Sequence, residues 1–173
     1  SMSPRTLLSR MNERFRLLLS TGGRRDRQAT LRATFDWSWD LLTLAERWAL
    51  AQLSVFEGGF TLASAEAVVD LSRVDGEPWM LDVLQGLVDK SFVRRLSDDR
   101  FDLLDSVRDY AGEHLRTPGR FEGSGAETAR ATQLRHCRYF ARFDEQAAVA
   151  DNGIELNNLV AACRRAIPSA TTS

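Results

Sequence analysis

The sequence predicts a mainly α-helical chain that carries one small β-hairpin, and three observations predict it. Apolar residues recur at three- and four-residue spacing over most of the 173 residues. Capping patterns and glycine turns divide that periodicity into short helices. Between Ser91 and Leu104 alone the period shortens, in two β-prone runs around Ser97-Asp98-Asp99.

In chain order, residues 5–19 place Leu7, Leu8, Met11, Phe15 and Leu18 on one helical face, and Thr21-Gly22-Gly23 stops that helix. Residues 1–32 hold eight arginines against Glu13 and Asp26. They read first as a solvated face that pairs with acidic neighbours, and second as a basic face for phosphates. The glycine pair lacks the GxxxxGK[ST] spacing of a phosphate-binding loop.

Residues 30–42 form the hub of the chain. Leu31, Phe35, Ser38 and Leu42 make one stripe, Trp39 widens it on one side, and Thr34, Trp37 and Leu41 widen it on the other. A helix apolar over more than half its girth packs on two sides. Phe35 and Leu42 are assigned to the module's own core, and Trp37 and Leu41 to a flank that meets a neighbouring domain.

Thr43 and Glu46 spell a capping box. It opens a helix to about Val55 with Leu44, Trp48, Ala51 and Val55 inward. Thr61 caps a short helix with Leu62, Ala65, Val68 and Val69 on one face. Pro78 precedes a helix from Trp79 to Asp89 that buries Met80, Leu84, Leu87 and Val88 or their neighbours. After the hairpin, Ser106 and Asp109 start a helix with Val107, Tyr110, Ala111, His114 and Leu115 in its stripe, so His114 reads as a core-edge residue. Residues 116–125 form a Pro/Gly/Ser linker. Two helices follow, about 126–149 (Leu134, Cys137, Tyr139, Phe140, Phe143) and Ile154–Ile167 (Ile154, Leu156, Leu159, Val160, Cys163).

Three helices, a hairpin and a closing helix make a winged helix, a helix-turn-helix core with a β-hairpin wing. An N-terminal helix and a C-terminal helical pair flank it. The winged-helix topology serves DNA binders and interaction modules alike. Charge favours the second: WMLDVLQGLVDK offers Asp82 and Asp89 against Gln85 and Lys90, where a DNA reader needs basic or amide side chains. In the wing, Arg94, Arg95 and Arg100 are the possible DNA or phosphate contacts, offset by Asp98, Asp99 and Asp102. A net charge of −1 gives the whole chain no field for nucleic acid or an anionic membrane. Nucleic acid is therefore not expected as a partner, and no apolar run is long enough for a membrane span.

Cys137 and Cys163 form no disulfide framework, which points to a reducing, cytoplasmic setting. The two histidines and two cysteines show no metal-ligand spacing and no nucleophile-base pair. The chain is expected to be neither an enzyme nor a metalloprotein. Ser1-Met2 reads as an expression scar, and the whole as a fragment.

LRATFDWSWDLLTLAERWALAQLSVFEGGFTLASAEAV, VLQGLVDKSFVRR and RFDLLDSVRDYAGEHL, in that order, resemble the winged-helix segment of bacterial STAND ATPases. These are signal-transduction ATPases related to the NB-ARC proteins, and many regulate transcription. ELNNLVAACRRAI matches a recurrent helix of their sensor repeats. The resemblance implies four parts. Residues 1–28 are the end of the helical part of a nucleotide-binding module, and 29–116 the winged helix. Residues 117–125 are a linker, and 126–173 the start of a TPR-like helical-repeat region.

It further implies a non-catalytic regulatory segment that gates nucleotide-dependent activation through interdomain and protein contacts. No cofactor is expected in the segment itself, and ATP or ADP is expected in a full-length parent. The phosphate-contacting Met-His-Asp motif of the family falls here on Leu103, Leu104 and Asp105. Leu104 and Asp105 are thus the nucleotide-proximal positions by resemblance, although leucine cannot donate to a phosphate. Expected partners are neighbouring domains of the parent and, for the isolated chain, further copies of itself. The alternative is a DNA-binding winged-helix transcription factor domain with a helical dimerisation tail.

Overall fold

The computed structural model describes residues 24–167. The amphipathic stretch 5–19 and its glycine stop lie outside the described residues. Among the N-terminal arginines, side chains are described for Arg27 and Arg32.

The hub is helix α1, Arg24–Asp40. It starts well before residue 30, and residues 27–30 are exposed. Phe35, Ser38, Trp39 and Leu42 are buried, in line with the expected stripe. Its end is closed by Arg47, whose guanidinium donates to the Trp39 and Asp40 carbonyls at 3.2 and 3.1 Å. That satisfies acceptors a helix C-terminus leaves free.

Helix α2, Leu44–Leu53, begins in the expected capping box. The Glu46 amide donates to Thr43 Oγ1 at 3.2 Å, and the Thr43 amide to Glu46 Oε2 at 2.7 Å. From Trp48 to Leu53 every residue is buried. Leu44, expected inside, is 42% exposed, while Glu46 of the same turn is buried.

Strand β1, Phe60–Thr61, leads into helix α3, Leu62–Val68. Helix α4 is Met80–Asp89, with Val83 buried and Val88 half-buried against the core. The wing is β2, Arg94–Arg95, and β3, Arg100–Asp102. The sheet order is β1-β3-β2, all antiparallel, with Phe60 opposite Phe101. Two residues are too few to show a period, so β1 left no sequence signal. Helix α5, Asp105–Arg116, buries all five residues of its expected stripe, His114 among them. Its N-cap is Leu104, without a side-chain cap. Asp105 is the first helical residue and pairs with Arg108, so the helix starts one residue before the expected Ser106.

The C-terminal elements are α6 (Ala126–Phe140), α7 (Glu145–Val149), a 3₁₀ turn (Ala150–Gly153) and α8 (Leu156–Ala166). The single helix expected to 149 is broken, and Asp144 restarts it by accepting from the Ala147 amide at 2.8 Å. Leu134, expected inward, is 49% exposed. Helix α6 packs against α3, α5 and α8.

Residues 117–125 form a packed corner. Phe121 is buried against Trp48 and Trp39, with ring centroids 5.2 and 6.2 Å apart. Gly123 sits at φ +86°, and a Cβ there would lie 2.7 Å from the Trp48 ring. Only glycine fits that corner. The structure is a mainly helical winged helix with its small sheet at one edge and the C-terminal helices laid on its core.

Candidate interaction surfaces and a buried polar node

A winged-helix DNA reader places the helix before the wing in the major groove. Here that is α4. Met80, Val83, Leu84 and Leu87 hold it to the core, which leaves Leu81, Asp82, Gln85 and Asp89 facing out. Gln85 donates to Asp89 at 2.9 Å. Lys90, just past the helix, is engaged by buried Glu46 at 2.5 Å. The outward face thus carries acids and a leucine, and no arginine or lysine.

The three wing arginines fare differently. Arg94 pairs with Asp102 across the hairpin. Arg95 donates to the Ser97 and Asp98 carbonyls at 3.1 and 2.7 Å. Both side chains are half exposed. Arg100, expected at the surface, is 6% exposed and points inward. Its role is internal.

Trp37 and Leu41, the flank of the hub, are 43% and 49% exposed. Their neighbour Asp36 accepts from the Tyr110 hydroxyl at 2.7 Å. Burial and that hydrogen bond raise the phenol's pKa well above its usual value.

Leu104 and Asp105 line an open cleft of about 460 Å³ beside Glu57, Arg94, Asp102 and Arg108. Two separately chosen sets of candidates therefore meet here: Arg94 from the wing, and Leu104 with Asp105 from the family motif. Arg94 and Arg108 are both paired to carboxylates, with Asp102 and Asp105. Leu103 is buried beneath.

A polar node not foreseen from the sequence starts at Arg100 of the wing strand β3. Arg100 bonds Glu155 at 2.6 Å and donates to the carbonyls of Gly58 (2.8 Å) and Ile154 (3.2 Å). Asn158, fully buried, accepts from the Glu57 amide at 2.7 Å. It donates to the Gly59 carbonyl (2.8 Å) and to Glu155 (2.9 Å). His136, also fully buried, lies 3.4 Å from Asn158 Oδ1 and 3.3 Å from Arg165. Arg165 donates to the Val55 carbonyl at 2.9 Å. Burial, then the charge of Arg165, push the His136 pKa down to about 4.

The face of α8 that docks is therefore Asn158, Ala161 and Ala162. Of the expected stripe, Leu159 is half-buried against the core, while Ile154, Leu156 and Val160 are 44%, 55% and 53% exposed and Cys163 is exposed too. Glu155, Asn158, Ala162 and Arg165 recur at helical spacing, a signal masked by their polarity.

Among the described residues no group of three or more His, Cys, Asp or Glu could hold a metal ion. No described helix is long and apolar enough to cross a membrane.

Fold and surfaces together define a winged-helix module joined to a helical pair. Its similar proteins are mycobacterial. A protein of Mycobacterium tuberculosis named "Putative HTH-type transcriptional regulator" is 38% identical over 181 aligned positions, which cover 94% of this chain and 19% of that protein. A Mycobacterium bovis protein of the same description matches equally. An uncharacterized M. tuberculosis protein is 41% identical over 125 positions, covering 69% of this chain and 31% of that protein. The chain thus spans about a fifth of the regulators it matches. No family model and no solved structure matches it.

Proposed function

We propose that this chain is the winged-helix module of a helix-turn-helix-type transcriptional regulator and that it works there through protein contacts. The similarity to two proteins named as such regulators supports the first half. The observation that carries the second is the outward face of α4, where Leu81, Asp82, Gln85 and Asp89 stand and no cation does. Phosphate affinity comes from cations at the contact. In this reading the chain carries no catalysis of its own.

Direct DNA binding is the second reading, and the names of the relatives favour it. Arg94 and Arg95, both half exposed, are its best contacts. Arg100 is unsuited, since drawing it out would strand Glu155. Fluorescence anisotropy with duplex DNA across a salt series decides between the two. The first reading expects only weak association at low salt. Steep salt dependence that Arg94→Ala or Arg95→Ala flattens by about one ion each would establish the second.

A finer role, nucleotide-dependent gating, rests on the resemblance to STAND ATPases. It places ATP or ADP in the parent protein and Leu104 and Asp105 towards it. Its test is the parent sequence: a strand-loop-helix with GxxxxGK[ST] upstream supports it, and a parent without one refutes it.

A further inference from the structure

The outward face of α4 is distinguished by what it carries as well as by what it lacks. Trp79, at its N-cap, is 74% exposed, and Leu81 is 46% exposed. The turn before it runs through Gly76 at φ +83° and Glu77 at φ +39°, which turns Trp79 outward ahead of the helix. From Asp75 to Asp89 the chain has four carboxylates (Asp75, Glu77, Asp82 and Asp89) and no arginine or lysine. All four residues are exposed. An exposed tryptophan and leucine ringed by acids fit the apolar face of a basic amphipathic helix.

Residues 5–19 of the chain have that chemistry. Leu7, Leu8, Met11, Phe15 and Leu18 repeat at helical spacing, and Arg10 and Arg14 flank the apolar face they define. Arg5 and Arg16 add charge against the single acid Glu13. The segment joins the fold through α1, whose residues 27–30 are exposed and whose first buried residue is Phe35. At 1.5 Å per residue, Arg24 stands about 16 Å beyond Phe35 along the helix axis. The first turns of α1 therefore extend beyond its buried part.

We infer that residues 5–19 of one copy dock on the Trp79–Asp89 face of a second copy, so that each chain of a two-fold dimer gives and receives one segment. The contact is isologous and closes without a free site. It rests on the protein-contact reading above and names the partner of that surface.

The test is light scattering and sedimentation on the full chain, in low and moderate salt. The wild type should shift from monomer to dimer with concentration, and less so as salt screens the contact. Asp82→Lys with Asp89→Lys should weaken the dimer roughly tenfold or more, as should Arg10→Glu with Arg14→Glu. Joining the two swaps in one chain should bring affinity back to within about threefold of wild type. Trp79→Ala should weaken association with unchanged circular dichroism, which separates docking from folding.

A wild type that stays monomeric overturns the inference. So does a dimer that ignores the charge swaps, or swaps that fail to rescue each other. DNA binding through Arg94 and Arg95, with the swap pattern intact, would sink the preceding reading and leave this dimer standing.

Discussion

Two regions hold this molecule together by opposite means. Around Trp39 the packing is aromatic. Phe35 meets Tyr110 at 5.2 Å between centroids, Trp39 meets His114 at 4.3 Å, and Phe121 closes the cluster from the corner at 117–125. Around Asn158 it is polar, and Arg100, Glu155, His136 and Arg165 bond to one another and to the backbone of residues 55–59. The first region gains from area removed from water. The second breaks even only while every partner is present, because an unpaired buried polar group costs the full desolvation penalty. The aromatic region secures the winged helix, and the polar region decides where the C-terminal helix sits on it.

The largest expected effect falls on the aromatic side. Phe35→Ala should cost about 3–5 kcal/mol in urea unfolding, because it empties a buried ring site. On the polar side, Asn158→Ala strands the Glu57 amide and the Gly59 carbonyl, and should cost about 2–4 kcal/mol. Arg100→Met with Glu155→Gln, compared with each single change, should give a favourable coupling of roughly 1–3 kcal/mol. No coupling would mean that the ion pair is incidental.

Acid should weaken both regions, each through one buried histidine. His136 is neutral in the fold, with its pKa lowered to about 4, against about 6.5 in the unfolded chain. Its contribution is complete above pH 6.5 and falls away as pH drops towards 4, by up to about 3 kcal/mol. His114 is lowered by burial as well and acts in the same sense. Thermal unfolding between pH 7 and pH 4.5 should show the loss, and His136→Gln should flatten part of the slope. An unchanged slope would assign the acid sensitivity elsewhere. The smallest effect is expected at Trp37→Ala, on a residue 43% exposed, where the cost should stay below about 1 kcal/mol.

The aromatic region was legible in the sequence because burial there obeys hydrophobic periodicity. The stripe Phe35, Ser38, Trp39, Leu42 and the stripe Val107 to Leu115 both emerged with the correct face inward. The capping box at Thr43 was equally readable, being a local chemical pattern. The polar region was not. Asn158 and two alanines lie against the body while Leu156 and Val160 face out, so apolar spacing selected the wrong side of α8. Arg100 looked like a surface cation because its partner lies 55 residues away. Phe121 was hidden in a stretch whose composition resembles a linker, yet it fills a core site. Of the proposed site residues, Trp37, Leu41, Arg94, Arg95, Leu104 and Asp105 are accessible, and Arg100 alone is enclosed.

The central structural claim is that wing and C-terminal helices behave as one cooperative body joined at Asn158. Native-state hydrogen exchange on the chain measures it directly. Amides of α6 and α8 should open together with those of α2 and α5, and Asn158→Ala should uncouple α8 from the rest. Free opening of α6 and α8 in the unaltered chain, with α2 and α5 still protected, would contradict it.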